Sequence, residues 1–261
     1  YPGPNHTFCA EDIQSEKIKE AEIFHFGYPP LMKKMFEDQG RELVKIYKKV
    51  KEKNLITSLD MAMPDPERQS GKVDWMEILN NVLPQVDIFL PSIEEILYML
   101  GYETDISPEK LDIDFLEDIG DKLLDMGVKI LIIKLGEQGI YLQTDNIDEK
   151  SVLNKVIDPV SWSEVYYHSP CFQAEVKGTT GAGDAAIAGF LAELISGKGP
   201  KSALKTAVAT GAFCVEAMDA SGGIVPLSEV KKRIEKGWEQ LPVDLNMKNW
   251  EYDKNYRLWR K

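Results

Sequence analysis

The 261-residue chain is predicted to be an α/β protein whose sheet is covered on both faces by helices. Three observations carry this reading. Short apolar runs of strand length alternate with segments of helical spacing. Capping and stopping residues fall between those segments. Late in the chain, a glycine-rich turn feeds directly into a strongly apolar helix.

Taken in order, residues 22–26 read as a buried strand. Residues 31–53 follow with helical spacing at Leu31, Met35, Leu43, Ile46, Tyr47 and Val50, and Gly40 is expected to break that helix. Residues 55–59 read as a strand ending at Asp60, and the prolines and charges of 61–72 as a loop. Trp75–Val82 is predicted helical and 87–90 a short strand. Ser92 can cap a helix over 93–100, with Glu95 as its capping-box partner and Gly101 as its stop. Residues 115–126 are predicted helical up to Gly127. Residues 129–135 form a clear buried strand, and Ile140–Thr144 a hairpin partner for it. Residues 145–163 are polar and irregular. Strands are expected over 164–168 and 172–176, then helices over 185–195, 201–218 and 228–238. No repeat or low-complexity tract interrupts this order.

Composition bounds the function. Hydrophobic residues make up 43% and charged residues 28%, an ordinary globular balance. At about 150 residues per domain the length allows one or two domains. The 31 basic against 43 acidic residues give a formal charge of −12. That argues against a nucleic-acid-binding face, which needs clustered positive charge, but a local site can still take a small phosphorylated ligand. Cys9, Cys171 and Cys214 are far apart and odd in number, which argues against a disulfide framework or a zinc site and suits reduced thiols in a cytoplasm. No signal-peptide pattern is present, and the apolar runs are far shorter than the ~20 residues of a membrane span.

The chemistry is concentrated in Lys177-Gly-Thr-Thr-Gly-Ala-Gly-Asp184. Glycines at 178, 181 and 183 permit tight backbone turns and close ligand approach. A turn of this kind opening a helix presents unsatisfied N–H groups and the positive end of a dipole, a ready anion site. Asp184 falls in the first turn, where the dipole favours its ionised form. A carboxylate beside an anion hole suits phosphoryl transfer, the amides neutralising the moving group and the carboxylate accepting the hydroxyl proton. A purely structural loop with a dipole-stabilising Asp fits the same residues. Neither Gly71-Lys72-Val73 nor Gly197-Lys198-Gly199 satisfies a Walker A loop. Gly181, Gly183 and Ala186 match a dinucleotide fingerprint, but late in the chain and with a second helix where the ribose-binding acid belongs.

At these residues the sequence resembles the ribokinase/PfkB family of carbohydrate kinases. The likeness rests on Thr179-Thr-Gly-Ala-Gly-Asp184 with the apolar run behind it. It extends through Lys134-Leu-Gly-Glu-Gln-Gly139, Pro91-Ser-Ile-Glu-Glu95 and Gly222-Gly-Ile-Val-Pro226, covering residues 22–230 in order. The resemblance implies a ribokinase-like three-layer α/β/α sandwich with a mostly parallel sheet. It also implies ATP-dependent phosphorylation of a sugar or sugar-acid hydroxyl, with ATP and Mg²⁺ as cofactors and a small-molecule sugar as partner. Asp184 would be the catalytic base, and the amides of Gly181, Ala182 and Gly183 the anion hole. Lys134, Gly136, Gly139 and Thr179 would lie at the nucleotide, and Ala207 and Gly211 beside the adenine. Glu95 occupies the acidic position of the family's Asn-x-x-Glu motif, which holds water around Mg²⁺. Simpler roles stand beside these: capping for Glu95, a solvent-reaching charge for Lys134, and close helix packing for the Ala-rich helix.

The departures from the family pattern are specific. Ser92 replaces the motif's Asn. Gly178 replaces a common Asp, which leaves the family's monovalent-cation site in doubt. Asp60-Met-Ala-Met-Pro64 differs from the fructokinase pattern at that place. The family's N-terminal strands, β-lid and Gly-Gly sugar motif do not precede Tyr1. The expectation is therefore an N-terminally incomplete kinase domain over 1–240, with an aromatic and basic extension over 241–261. A homodimer is compatible with the resemblance, although the family's usual dimer contact is the lid. The competing readings are a catalytically incomplete nucleotide-binding pseudokinase or regulatory module, and an NAD(P)-dependent dehydrogenase. Of the remaining residues, His25 is expected to be a satisfied core histidine and His168 to lie at the surface. Residues 1–6 are expected to form a turn. The tail aromatics Trp250, Tyr252, Tyr256 and Trp259 could stack on a partner or nucleic acid, but packing back on their own domain or a subunit is the reading preferred.

Overall fold

In the computed structural model, which describes residues 3–102 and 112–261, apolar spacing and capping residues place the helices largely where the sequence puts them. The chain divides into two units, Tyr1–Ser107 with Glu117–Ile133, and Pro108–Leu116 with Lys134–Lys261. Tyr1 and Pro2 of the expected opening turn lie outside the described residues; Gly3–Thr7 is a 3₁₀ turn.

Up to the end of the fourth strand the elements are α1 (Ser15–Ile18), β1 (Ile23–Phe26), α2 (Lys33–Phe36), α3 (Arg41–Lys51), β2 (Ile56–Leu59), α4 (Trp75–Val82), β3 (Ile88–Phe89), α5 (Ile93–Met99), α6 (Ile113–Asp125) and β4 (Ile130–Lys134). Strands β1 to β4 pair in parallel in chain order, with Phe26 opposite Leu59, Leu59 opposite Phe89 and Phe89 opposite Leu131. Parallel neighbours require crossover connections, which the intervening helices supply. Burial of both faces explains why β2 and β4 read as continuous apolar or small-residue runs rather than alternating ones. The break expected at Gly40 is present: Asp38 and Gln39 take left-handed backbone with φ of 48° and 58°. A Cβ on Gly40 would meet Ile78 Cγ2 at 2.9 Å. Beyond the break, Leu43, Ile46, Tyr47 and Val50 form one buried stripe on α3. The Tyr47 hydroxyl donates to the Ser58 carbonyl at 2.9 Å, fixing α3 against β2.

The second unit holds β5 (Ile140–Thr144), α7 (Pro159–Trp162), β6 (Tyr166–Ser169), α8 (Ala182–Ile195), α9 (Pro200–Cys214), α10 (Leu227–Glu235), β7 (Glu251–Asp253) and β8 (Leu258–Arg260). Here the pairing is antiparallel, β5 with β6, β6 with β8 and β8 with β7. The C-terminal residues thus supply two strands. Trp250 is buried with its ring centroid 6.0 Å from that of Tyr141. Helices α8 and α9 approach closely: a Cβ on Gly189 would lie 2.3 Å from Thr210 Oγ1, so only glycine allows this contact. No helix among the described residues is long and apolar enough to cross a membrane.

Four expectations need correction. Residues 172–176 form no strand; Phe172 makes a single bridge to Gln240, and its ring stacks on Trp238 at 4.7 Å instead of joining a ladder. Helix α9 ends at Cys214 rather than near Met218, because the Val215 carbonyl turns to accept the N–H of Lys177 at 2.8 Å. His168 is fully buried, because α9 packs on β6 and the ring turns inward to the Gln138 carbonyl. His25 is exposed rather than core, with Nδ1 3.0 Å from Ser58 Oγ.

Candidate active site

The N-terminus of α8 is built by Gly181. This residue is the N-cap, with φ of 83°, a left-handed conformation that a side chain would strain. It also lies so close to Ala220 that a Cβ would come within 2.5 Å of the Ala220 carbonyl oxygen. The helix then begins at Ala182, three residues earlier than the apolar run suggests, which puts Asp184 inside the first turn. First-turn amides have no i−4 partner within the helix. The Ala182 N–H makes a long turn bond to the Thr179 carbonyl, 3.3 Å. Asp184 and Thr179 are exposed. The Lys134 side chain reaches the same turn from the end of β4: its Nζ is 3.7 Å from where a Cβ on Gly183 would lie. One helix end therefore carries amides, a carboxylate and an ammonium group.

Lys134 leads directly into the Gly136–Gly139 turn. Nothing lies within 4 Å of the Cβ position on Gly136, leaving that side open. Gly139 is pressed against β6, where a Cβ would fall 2.0 Å from the Ser169 carbonyl. Three further contacts hold the turn. His168 Nε2 lies 2.7 Å from the Gln138 carbonyl, Cys171 Sγ donates to the Gly136 carbonyl at 3.3 Å, and the Asp244 N–H donates to Gln138 Oε1 at 3.0 Å. Burial pushes the His168 pKa down to about 4, with the bond to Gln138 opposing the shift. Burial likewise pushes the Cys171 thiol up to about 11.

Residues after α9 wrap the glycine turn from the other side. Cys214 is buried, with Sγ 3.7 Å from the Thr180 carbonyl and 3.5 Å from the Ala220 carbonyl. Burial, then the charges of Asp184 and Asp219, raise its thiol pKa. Asp219 accepts from the N–H groups of Ser221 and Gly222 at 2.9 and 2.6 Å. Gly211 packs under α8, its Cβ position 3.3 Å from the Ala182 carbonyl, and Ala207 is buried. The second unit thus brings Lys134, Gly181, Ala182, Gly183, Asp184 and Gly211 together, with Gly136, Gly139 and Thr179 on the adjoining turns. Sequence reasoning missed Cys214 and His168 as supports of these turns. Neither carries a local signal, since both act through partners distant in sequence.

Glu95 lies in the first unit, where the expected capping box forms. The Ser92 N–H donates to Glu95 Oε2 at 2.7 Å, and the Glu95 N–H to Ser92 Oγ at 3.4 Å.

The fold is ribokinase-like. A candidate ribokinase II from E. coli, solved with ATP and Mg²⁺, aligns with a TM-score of 0.63 at 22% identity, covering 88% of this chain and 64% of that one. The model of the pfkB family of carbohydrate kinases matches residues 1–226, and the chain belongs to that family. It is 26% identical over 227 residues to an uncharacterized sugar kinase of Archaeoglobus fulgidus, covering 85% of this chain and 72% of that protein. It is 24% identical over 205 residues to the 2-dehydro-3-deoxygluconokinase of Thermoproteus tenax, covering 78% of this chain and 52% of that protein. The chain therefore spans between half and three-quarters of these relatives' lengths.

Proposed function

We propose that this protein transfers the γ-phosphoryl group of ATP to a hydroxyl of a sugar or sugar acid. The observation that carries the proposal is the meeting of Asp184, the first-turn amides of α8 and the Lys134 ammonium at one helix end. In this reading the Asp184 carboxylate accepts the proton of the attacking hydroxyl. The Gly181 and Gly183 amides, with Ala182 in a lesser part, face the negative charge that develops on the transferred group. Lys134 adds a point charge there, and the open side of Gly136 admits nucleotide phosphate. Ala207 is assigned helix packing rather than adenine contact because it is buried, whereas Gly211 and Thr179 stay beside the nucleotide. The names of relatives that act on sugars and on a sugar acid support the acceptor class.

Mg²⁺ prefers oxygen donors and keeps several of its waters. A carboxylate already engaged through one oxygen by the Ser92 N–H fits such a water-mediated hold, and Glu95 would supply it. When bound, the ion would neutralise phosphate charge.

A second reading is a nucleotide-binding module without turnover. Position 178 favours it: the Asp common in the family is absent there, and the site is crowded, since a Cβ would meet the Met218 carbonyl at 3.0 Å.

The deciding experiment is ADP release by the full-length protein over a panel of sugars and sugar acids, comparing wild type with Asp184→Asn. The substitution is expected to lower kcat by about 10²–10⁴-fold. Turnover within about tenfold of wild type would remove Asp184 as the base. Calorimetric ATP binding without turnover on any acceptor would favour the second reading.

A further inference from the structure

The second unit contains a cleft that shares no residue with the N-terminus of α8. It encloses about 550 Å³ between the segment after α10 and the β7–β8 hairpin. That volume lies within the roughly 300–1,000 Å³ typical of small-molecule sites. Its walls are mainly apolar and aromatic: Leu241, Pro242, and the tilted ring pair of Tyr252 and Trp259 with centroids 5.3 Å apart. Two polar groups converge on it, Gln240 and Arg257.

Both are left incomplete by the protein itself. Gln240 Nε2 donates to the Pro170 carbonyl at 3.1 Å, which fixes the orientation of the amide. Its Oε1 is shielded from solvent and has no donor. A buried acceptor in that state calls for a missing partner. The Arg257 guanidinium makes no hydrogen bond or ion pair among the described residues. The carboxylate of its own hairpin, Asp253, is taken by Lys201 at 2.9 Å. Lys205, half-buried on α9, lies close enough that burial and then the Arg257 charge lower its pKa, with Asp253 opposing. In a chain of net charge −12, the Arg257 guanidinium is thus left without a carboxylate, since Glu251 of the same hairpin is paired with Arg260 at 3.1 Å.

We propose that this cleft binds a small phosphate monoester carried on a ring that bears a hydroxyl or amino donor. The phosphate sits on Arg257, the ring lies against Trp259 and Leu241, and the ring's donor reaches Gln240 Oε1. The planar guanidinium of Arg257 binds a phosphate through two parallel N–H bonds, which a point charge does not offer. Sugar phosphates and nucleotides share this chemistry.

The test is calorimetric titration of the full-length protein with glucose 6-phosphate and with AMP, using inorganic phosphate as the baseline probe. At least one of the two is expected to bind more tightly than inorganic phosphate, and which one does so identifies the source. Arg257→Gln is expected to weaken that binding by about 10- to 100-fold, the usual worth of a charge-assisted hydrogen bond. Gln240→Leu should weaken it by roughly tenfold. The α8 N-terminus can take the same probes, so the binding assigned to the cleft is the part that Lys134→Met leaves in place. Should Arg257→Gln fail to fold by circular dichroism, Arg257→Lys, which keeps the charge and loses the fork, is expected to bind with intermediate strength. Three results overturn the proposal: no ring-bearing probe binds more tightly than phosphate, binding survives the loss of Arg257, or binding is lost in Lys134→Met and kept in Arg257→Gln.

Discussion

Lys134 Nζ stands 3.7 Å from the Cβ position of Gly183, so the last side chain of β4 lies against the first turn of α8. A helix start that already presents amides thereby gains a full positive charge. Removing it with Lys134→Met should lower kcat/KM for ATP by about 10- to 100-fold, the range for a charge-assisted contact to phosphate. The thermal midpoint should hardly move. Steady-state kinetics beside a melting curve check this, and unchanged kinetics would return Lys134 to a structural role.

Gly181→Ala tests the backbone that aims this helix. The added methyl meets a φ of 83° and the Ala220 carbonyl at 2.5 Å. A loss of about 1–3 kcal/mol is expected from the backbone strain alone. The activity lost should exceed what the unfolded fraction explains, because the turn must shift to relieve the clash. Urea unfolding and turnover on the same preparation separate the two effects.

His168 predicts a pH dependence of stability. Its folded pKa of about 4 lies below the ordinary 6.5. Between those values the unfolded chain takes up a proton that the folded chain refuses. Stability therefore falls as pH drops from 6.5 towards 4, by on the order of 3 kcal/mol in all. In His168→Gln that part of the slope should vanish. Urea midpoints of both proteins at pH 7.5, 6 and 5 measure it, and parallel curves would contradict the assignment.

Glu95→Gln separates capping from metal binding. The amide oxygen of Gln can still accept from the Ser92 N–H, so stability should change by less than about 0.5 kcal/mol. If the carboxylate holds hydrated Mg²⁺, the variant should need a several-fold higher Mg²⁺ concentration for half-maximal turnover. An unaltered Mg²⁺ titration would leave Glu95 as a cap alone.

Trp250→Ala tests how firmly the C-terminal residues belong to the second unit. The ring is 7% exposed and rests on Tyr141. Its truncation should cost about 3–5 kcal/mol, read from denaturant midpoints. A change below about 1 kcal/mol would mean that the tail is only loosely attached.

Local chemistry made much of this fold legible. Trp75–Val82 and Ile140–Thr144 fall where their apolar spacing puts them, and the Ser92–Glu95 box forms as its residues require. The glycine turn ahead of α8 and its first-turn Asp184 could likewise be read from one contiguous stretch. All of these depend on neighbours within a few residues, which is the range over which periodicity and capping act.

What the sequence by itself determined, then, was the order of elements and the chemical character of the α8 N-terminus. The tertiary structure decided how those pieces are completed. His168 reads as a surface residue until α9 packs on β6 and the ring meets the Gln138 carbonyl. Residues 172–176 read as a strand until Phe172 finds Trp238 and leaves the ladder. Lys134 reads as a strand-end charge until α8 folds beneath it. In each case the deciding partner is distant in sequence, and burial and electrostatic environment belong to the pair rather than to either residue alone.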